Sequence, residues 1–307
     1  MFAVSLLGAS VLIFVACQAL PGDQAAILLG TSASPESIAA KNHELGLDRP
    51  LVVRYGEWAA GMLHGDFGRS FASGDSVTSL IAPTLPVTLW LSFAALALAI
   101  VIALPLGMLA ALRRRHLDGA AVSALAQAGM AVPAFWAGIL LSLLFGVTLR
   151  VLPPNGYVDF RTSPVEWARH LVLPVCSLAL VQSAVLIRYV RSAFVEVLGE
   201  DFYRTARAVG WRQGPAMLRH GLRNASLSLV TVIGLQLASV LVGAVVIEQV
   251  FVLPGLGALL VRYALNKDVM VIEGVVMLLV VLVLLINALT EVAYVFIDPR
   301  LRTEDER

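Results

Sequence analysis

Apolar residues in this chain run in long, nearly unbroken stretches and do not alternate with polar ones at a helical or strand period. Six windows, at about residues 1–20, 86–112, 121–149, 169–190, 227–250 and 272–297, stand out. A bilayer-crossing helix needs about 20 mostly apolar residues. Inside lipid such a stretch is helical, because no water is present to satisfy its backbone. The pattern predicts an all-α polytopic membrane protein with six transmembrane helices. Ala95, Ala99, Ala103, Gly107 and Ala111 recur every four residues in the second window, and Ala134, Gly138 and Ser142 in the third. Stripes of small residues let helices approach closely where the hydrophobic effect is absent. Pro105, Pro133 and Pro174 fall within windows and predict kinks or interruptions.

The connections also carry signals. Residues 35–45 have helical composition, with Pro35 near the start and Gly46 placed to end the helix. Residues 50–64 read as a second helix, with Val53, Trp58 and Leu63 among its apolar positions. A second connection, Phe251 to Val271, contains Pro254-Gly255-Leu256-Gly257 and then Ala258 to Leu265, a helical stretch too short to cross. Such a helix dips at a membrane face only where protein or a water-filled cavity covers its backbone. The organisation expected is a first transmembrane helix at 1–20, a small loop domain at 21–84, a five-helix core at 85–297 and a tail at 298–307.

Composition agrees with lipid as the solvent. The 307 residues are 59% hydrophobic and 14% charged, with mean hydropathy +0.85. Soluble domains run at about 45–50% apolar and about 25% charged. The net charge of +1 gives no basic surface for nucleic acid. Orientation follows from the arginines. Segments 113–118, 188–225 and 297–307 hold 13 basic residues in 55 positions, more than twice the density of 21–84, 150–168 and 251–271. Arg113-Arg114-Arg115 is the sharpest single signal. Both termini are therefore expected in the cytoplasm and the 21–84 domain outside it. No basic residue flanks the first span, which leaves two accounts: an upstream start, or an orientation set by the later loops.

The candidate chemistry is thin. Cys17 and Cys176 both lie in apolar stretches and read as small buried hydrophobes, with neither disulfide nor metal-ligand spacing. Phe14-Val15-Ala16-Cys17 faintly resembles a lipoprotein cleavage box, but no basic residue precedes it, so 1–20 reads as a retained helix. Ion-coupled carriers need ionisable groups deep in the membrane. The acids in or bordering the windows, Glu248, Glu273 and Glu291, all fall near span ends. Ser177 and His170 share a helix face but lie about 10 Å apart along its axis, so they form no hydrolase pair. A phosphate-binding loop needs glycines before a lysine. Neither Lys41 nor Lys267 follows such a run. No catalytic, cofactor-binding or metal-ligating residue is assigned.

The most informative segment is the loop at about 191–225, which contains Glu200-Asp201-Phe202-Tyr203-Arg204-Thr205-Ala206-Arg207-Ala208-Val209-Gly210-Trp211. Acidic residues stand where a helix N-terminus favours negative charge. Gly210 is placed to close the helix in the left-handed conformation. A short, slim helix with Ala206 and Ala208 suits docking into a groove of another protein. A surface helix that merely obeys the positive-inside rule fits the same periodicity.

Thr205-Ala206-Arg207-Ala208-Val209-Gly210, followed by Leu218-Arg219-His220-Gly221-Leu222-Arg223-Asn224-Ala225, resembles the EAA loop of ABC-importer permeases, most closely the dipeptide, oligopeptide and nickel branch. The resemblance runs almost the full length. It includes Leu20-Pro21-Gly22-Asp23, Leu45-Gly46-Leu47-Asp48-Arg49-Pro50-Leu51, Gly65-Asp66-Phe67-Gly68-Arg69-Ser70-Phe71 and Pro133-Ala134-Phe135-Trp136. Leu152-Pro153-Pro154-Asn155-Gly156-Tyr157, Gly234-Leu235-Gln236, Glu248-Gln249-Val250-Phe251-Val252-Leu253-Pro254-Gly255-Leu256-Gly257 and Asp298-Pro299-Arg300 continue it in family order. Ser228 stands where the family usually has proline, Val209 where lysine is common and Glu291 where aspartate is common.

The resemblance implies a type I importer permease of a bacterial or archaeal cytoplasmic membrane, one half of a translocation pore. Its partners would be a second permease, expected to be a different chain, two ATPase subunits that bind ATP and Mg, and an extracytoplasmic substrate-binding protein. Cargo is expected to be di- or oligopeptide, with a nickel chelate or glutathione as alternatives. It also implies that Asp201, Tyr203, Arg204, Thr205, Ala206, Arg207, Ala208, Gly210 and Trp211 form the helix that enters the ATPase and couples nucleotide closure to the pore.

Overall fold

A computed structural model of the chain describes residues 2–19, 24–30 and 33–297. Met1, the Leu20-Pro21-Gly22-Asp23 motif and the tail from Asp298, with its Asp-Pro-Arg string, lie outside these. Among the described residues the named elements are all helices, joined by turns and irregular segments. The long helices are α1 (Phe2–Gln18), α5 (Val77–Leu112), α8 (Pro164–Val197), α11 (Leu222–Phe251) and α13 (Val269–Ile297). Between them come α2 (Gln24–Leu29), α3 (Pro35–Glu44), α4 (Leu51–Leu63), α6 (Leu117–Met130), α7 (Ala134–Leu141), α9 (Asp201–Ala208), α10 (Gln213–Ala216) and α12 (Leu256–Leu265).

Among the described residues, four helices, α5, α8, α11 and α13, are long and apolar enough to cross a bilayer. The window expected as one helix at 121–149 is two. α6 and α7 meet at a bend of 98°, and count as a fifth span only if taken together. Pro133 opens α7 and has no N–H to continue α6. Beyond Leu141 the chain continues as a π-helical turn, Ser142–Thr148. Pro105 and Pro174 do not interrupt their helices. α1 is apolar but only 17 residues long.

The chain forms two units. The first comprises Met1–Thr88 and Pro254–Leu284. Its core joins Val77 and Ile81 of α5, Leu256, Leu259 and Tyr263 of α12, and Val271 and Val275 of α13. α1 and α4 meet through Phe14, Tyr55 and Trp58, with ring centroids 5.5, 5.7 and 6.0 Å apart. The expected helices at 35–45 and 50–64 are α3 and α4. Ser34 caps α3, accepting from the backbone N–H of Ser37. Asp268, 2% exposed, accepts from Ser70 Oγ at 2.6 Å and Ala72 N at 3.0 Å. These bonds satisfy a buried carboxylate that lipid would not.

The second unit comprises Leu89–Leu253 and Leu285–Arg307. The alanine stripe of α5 lies inside it. Ala95, Ala99, Ala103 and Ala111 are fully buried. A Cβ on Gly107 would sit 2.6 Å from the Val190 side chain on α8, so only glycine permits that approach. α8 and α11 share a polar contact deep in their apolar sequence, where Gln236 Nε2 donates to Gln182 Oε1 at 2.8 Å.

Candidate functional site

The expected coupling helix is α9, and its formation follows from local chemistry. Glu200, in extended conformation, precedes it, and Asp201 stands in its first turn. Thr205 Oγ1 donates to the Asp201 carbonyl at 2.9 Å, and Arg204 reaches the Asp201 carboxylate at 3.4 Å. At the other end Gly210 adopts φ +101°, the left-handed region expected of it. Gly210 N donates to Arg207 O at 3.1 Å and Trp211 N to Ala206 O at 3.2 Å, the paired bonds of a Schellman motif. Arg207 also bonds the Trp211 carbonyl through its guanidinium. The C-terminal end is therefore closed, and eight residues hold a helix that would be marginal in isolation.

One residue seats it. Tyr203 is 5% exposed and packs into a cluster with Val190, Phe194 and Val197 of α8, Ala216 of α10, Met217, and Ala225 and Leu229 of α11. Its hydroxyl donates to the Gln213 carbonyl at 3.4 Å. Burial pushes the Tyr203 phenol above its ordinary range, with the Arg207 guanidinium pulling the other way. Ala206 and Trp211 are half-buried against the same cluster. The Arg219 guanidinium lies 5.5 Å from the centre of the Trp211 ring.

The rest of the helix faces outward: Asp201, Arg204, Thr205, Arg207, Ala208 and Gly210 are all exposed. The nine residues assigned from sequence therefore divide. Tyr203 is an anchor turned into the chain's own core, Ala206 and Trp211 border it, and six are presented. Two presented residues were not assigned, Phe202 at 37% and Val209 at 77% exposed. Their spacing of seven, with Thr205 and Ala206 between, puts them on one helical face, a signal readable in the sequence.

What this arrangement can do is mechanical. Its foundation includes residues from the end of α8 and the start of α11, so a push on α9 reaches two long helices at once. Beside it a cavity of about 330 Å³ is lined by Glu196, Glu200, Phe202, Asn224 and Ser228, among others. Among the described residues no group of three or more His, Cys, Asp or Glu side chains is placed to hold a metal ion.

Residues 103–303 match the family described as "Binding-protein-dependent transport system inner membrane component". Residues 2–92 match its N-terminal counterpart. A putative peptide transport system permease protein of Brucella abortus is 42% identical over 293 residues, 95% of this chain and 93% of that one. The oligopeptide transport system permease AppB of Bacillus subtilis is 36% identical over 96% of this chain and 95% of its own. The glutathione transport system permease GsiC of Salmonella choleraesuis is 38% identical over 97% and 95%. Among solved structures, the MetNI methionine ABC transporter in an inward-facing conformation shares the fold, with TM-score 0.60 over 71% of this chain and 96% of that one at 20% identity.

Proposed function

The chain belongs to the inner-membrane-component family of binding-protein-dependent transport systems, a permease subunit of an ABC importer, and from that premise we propose that it carries di- or oligopeptides and is driven through α9. The peptide reading is supported by relatives in Brucella abortus and Bacillus subtilis whose names specify peptide and oligopeptide transport. Glutathione, itself a small peptide, is the second reading, supported by the 38% identical relative named for it.

In this reading α9 faces the cytosol together with both termini, and the 21–84 loop domain lies on the extracytoplasmic side. This chain pairs with a second, different permease. Nucleotide is bound and hydrolysed by two separate ATPase subunits, and a binding protein outside delivers cargo. The outward face of α9, with Phe202, Val209 and the arginines, sits in a groove of one ATPase subunit. Closure of the ATPase pair moves α9 as a rigid piece, because Tyr203 locks it to the cluster beneath. α8 and α11 then shift with it, and the pore changes its side of access. Small shifts are transmitted because packed interfaces switch between discrete arrangements and do not stretch.

The observation that carries this is the division of α9 into one buried anchor and an exposed face. The test is peptide uptake into proteoliposomes holding both permeases, both ATPase subunits and the binding protein. Alone, this chain should show no ATP hydrolysis above background, and the assembled complex should hydrolyse ATP and take up peptide. Ala206→Asp should leave ATP hydrolysis uncoupled from uptake. Uptake at the original rate by that variant complex would remove α9 from the drive mechanism.

A further inference from the structure

α4 belongs to the loop domain, yet it packs along α1 and not beyond it. The Tyr55 hydroxyl lies 2.8 Å from Ser10 Oγ, and Ser10 stands midway along Phe2–Gln18. The Phe14 ring meets those of Tyr55 and Trp58. Arg54 Nη2 donates to Gln18 Oε1 at 2.9 Å, at the end of α1. These contacts cover half the helix, about 12 Å at about 1.5 Å per residue. α1 has 17 residues and is about 25 Å long, whereas the hydrocarbon core of a bilayer is about 30 Å thick. A span this short has no length to spare beyond the lipid. A helix packed against its second half therefore lies at the depth of one leaflet.

The surface of α4 is arranged for that depth. One face, with Tyr55, Trp58 and Met62, packs into a cluster with Phe14, Cys17 and Met277. A second carries Glu57 and His64, both exposed, and Glu57 takes hydrogen bonds from Arg49 at 2.8 and 3.2 Å. The third is Val52, Gly56, Ala60 and Leu63, whose spacing of three and four sets them in one stripe. All four are exposed, Val52 at 81% and Leu63 at 83%, and the stripe holds no polar side chain. Val52 also borders a groove of about 450 Å³ between the two helices, together with Leu51 of α4 and Val11 and Val15 of α1. The polar side chains of this groove are engaged with protein: Tyr55 with Ser10, and Gln18 with Arg54 and Glu273. The apolar surface of α1 thus continues across the groove onto α4 without a polar break. An exposed apolar stripe opposite charged positions is the pattern of a helix lying in a membrane interface.

We propose that α4 is an interfacial membrane helix, its Val52–Gly56–Ala60–Leu63 stripe and the adjoining groove covered by lipid acyl chains and its Arg49–Glu57 pair at the water boundary. Continuity identifies the occupant: the acyl chains that cover Val11 and Val15 reach Val52 without passing a polar group. The inference rests on the reading of α1 as a membrane span. It gives the loop domain a second hold on the membrane, through the leaflet at the Gln18 end of α1.

The test is collision accessibility of nitroxide labels, in the full chain in phosphatidylcholine nanodiscs and again in the assembled transporter. Cys17 and Cys176 are replaced by alanine, and single cysteines are introduced as Val52→Cys, Leu63→Cys and Glu57→Cys. Leu12→Cys, at an exposed position of α1, reports the span itself. Oxygen concentrates in lipid and a nickel chelate in water. The oxygen-to-nickel ratio should be severalfold higher at Val52 and Leu63 than at Glu57, and should approach that at Leu12. These are surface positions, so each label is carried by a folded chain, checked by thermal unfolding. A nickel-dominated signal at Val52 and Leu63 beside a lipid signal at Leu12 overturns this inference alone. Water access at Leu12 overturns the span reading and this with it. Loss of both collision partners at Val52 and Leu63 on assembly would mean that another protein chain covers the stripe, and that too overturns the proposal.

Discussion

α12 and α9 are both too short to span a bilayer, at 10 and eight residues, and they meet their surroundings in opposite ways. α12 buries Leu256, Gly257, Leu259 and Tyr263, and the N–H of Leu256 at its start is taken by Thr88 Oγ1 at 2.8 Å. α9 buries Tyr203 alone. A helix held on several sides is part of a scaffold. A helix held by one side chain and closed at its C-terminal end by its own cap is a presented surface. Length and composition do not separate the two cases; the distribution of burial does.

The widest separation should come from stability. Leu256 is fully buried, and Leu256→Ala should cost about 2–5 kcal/mol through lost burial and the cavity left behind. The corresponding truncation on α9, Val209→Ala, should stay within about 0.5 kcal/mol, as surface changes do. Thermal unfolding of the detergent-solubilised chain reads both. Equal costs would mean that α9 is packed as α12 is.

Next is the cap. Gly210 needs φ +101°, and a Cβ there would meet nothing within 4 Å. The penalty of Gly210→Ala is therefore conformational and not steric, about 1–2 kcal/mol. Gly210→Asn should recover part of it, since asparagine tolerates that region. If Ala and Asn behave alike, the left-handed cap is not what shapes this loop.

Parts of this were legible before any coordinates. Gly210 was, because a left-handed cap after a short helix has one favoured residue. Pro133 was, because the missing N–H acts locally. The start of α5 was not: the apolar window opens at about residue 86, yet the helix runs from Val77 through Pro83 and Pro86. Prolines are tolerated where neighbouring groups take up the freed backbone. α2 was missed because six residues between polar segments carry no periodic signal. The burial of Tyr203 was hidden because Ala216, Met217 and Leu229, which cover it, arrive from further along the chain. The Gln182–Gln236 pair joins positions 54 apart and has no local signature.

The anchor itself gives a smaller effect with a pH signature. Tyr203→Phe removes one long hydrogen bond and should cost about 0.5–1.5 kcal/mol at neutral pH. The buried phenol titrates above its ordinary value, which is about 10. The folded state therefore holds the proton more tightly than the unfolded one. Its contribution is fully present below the unfolded pKa and is lost as pH rises through the folded one. The wild type should thus lose stability faster than Tyr203→Phe above about pH 10, and parallel curves would mean that the phenol is not buried in solution.

The smallest change to the fold tests the comparison most directly. Val209 is 77% exposed and a Cβ-branched residue at the very end of α9, so Val209→Asp has no packing to lose and should leave thermal unfolding within about 0.5 kcal/mol of wild type. An acid there would oppose an apolar or acidic groove without disturbing Tyr203. Co-purification with the ATPase subunits should fall severalfold, while the same substitution type at buried Leu256 should prevent folding outright. A presented helix separates these two readouts, stability unchanged and partner binding lost. A helix that served only as scaffold would move them together, and that joint movement is the result that would return α9 to the class of α12.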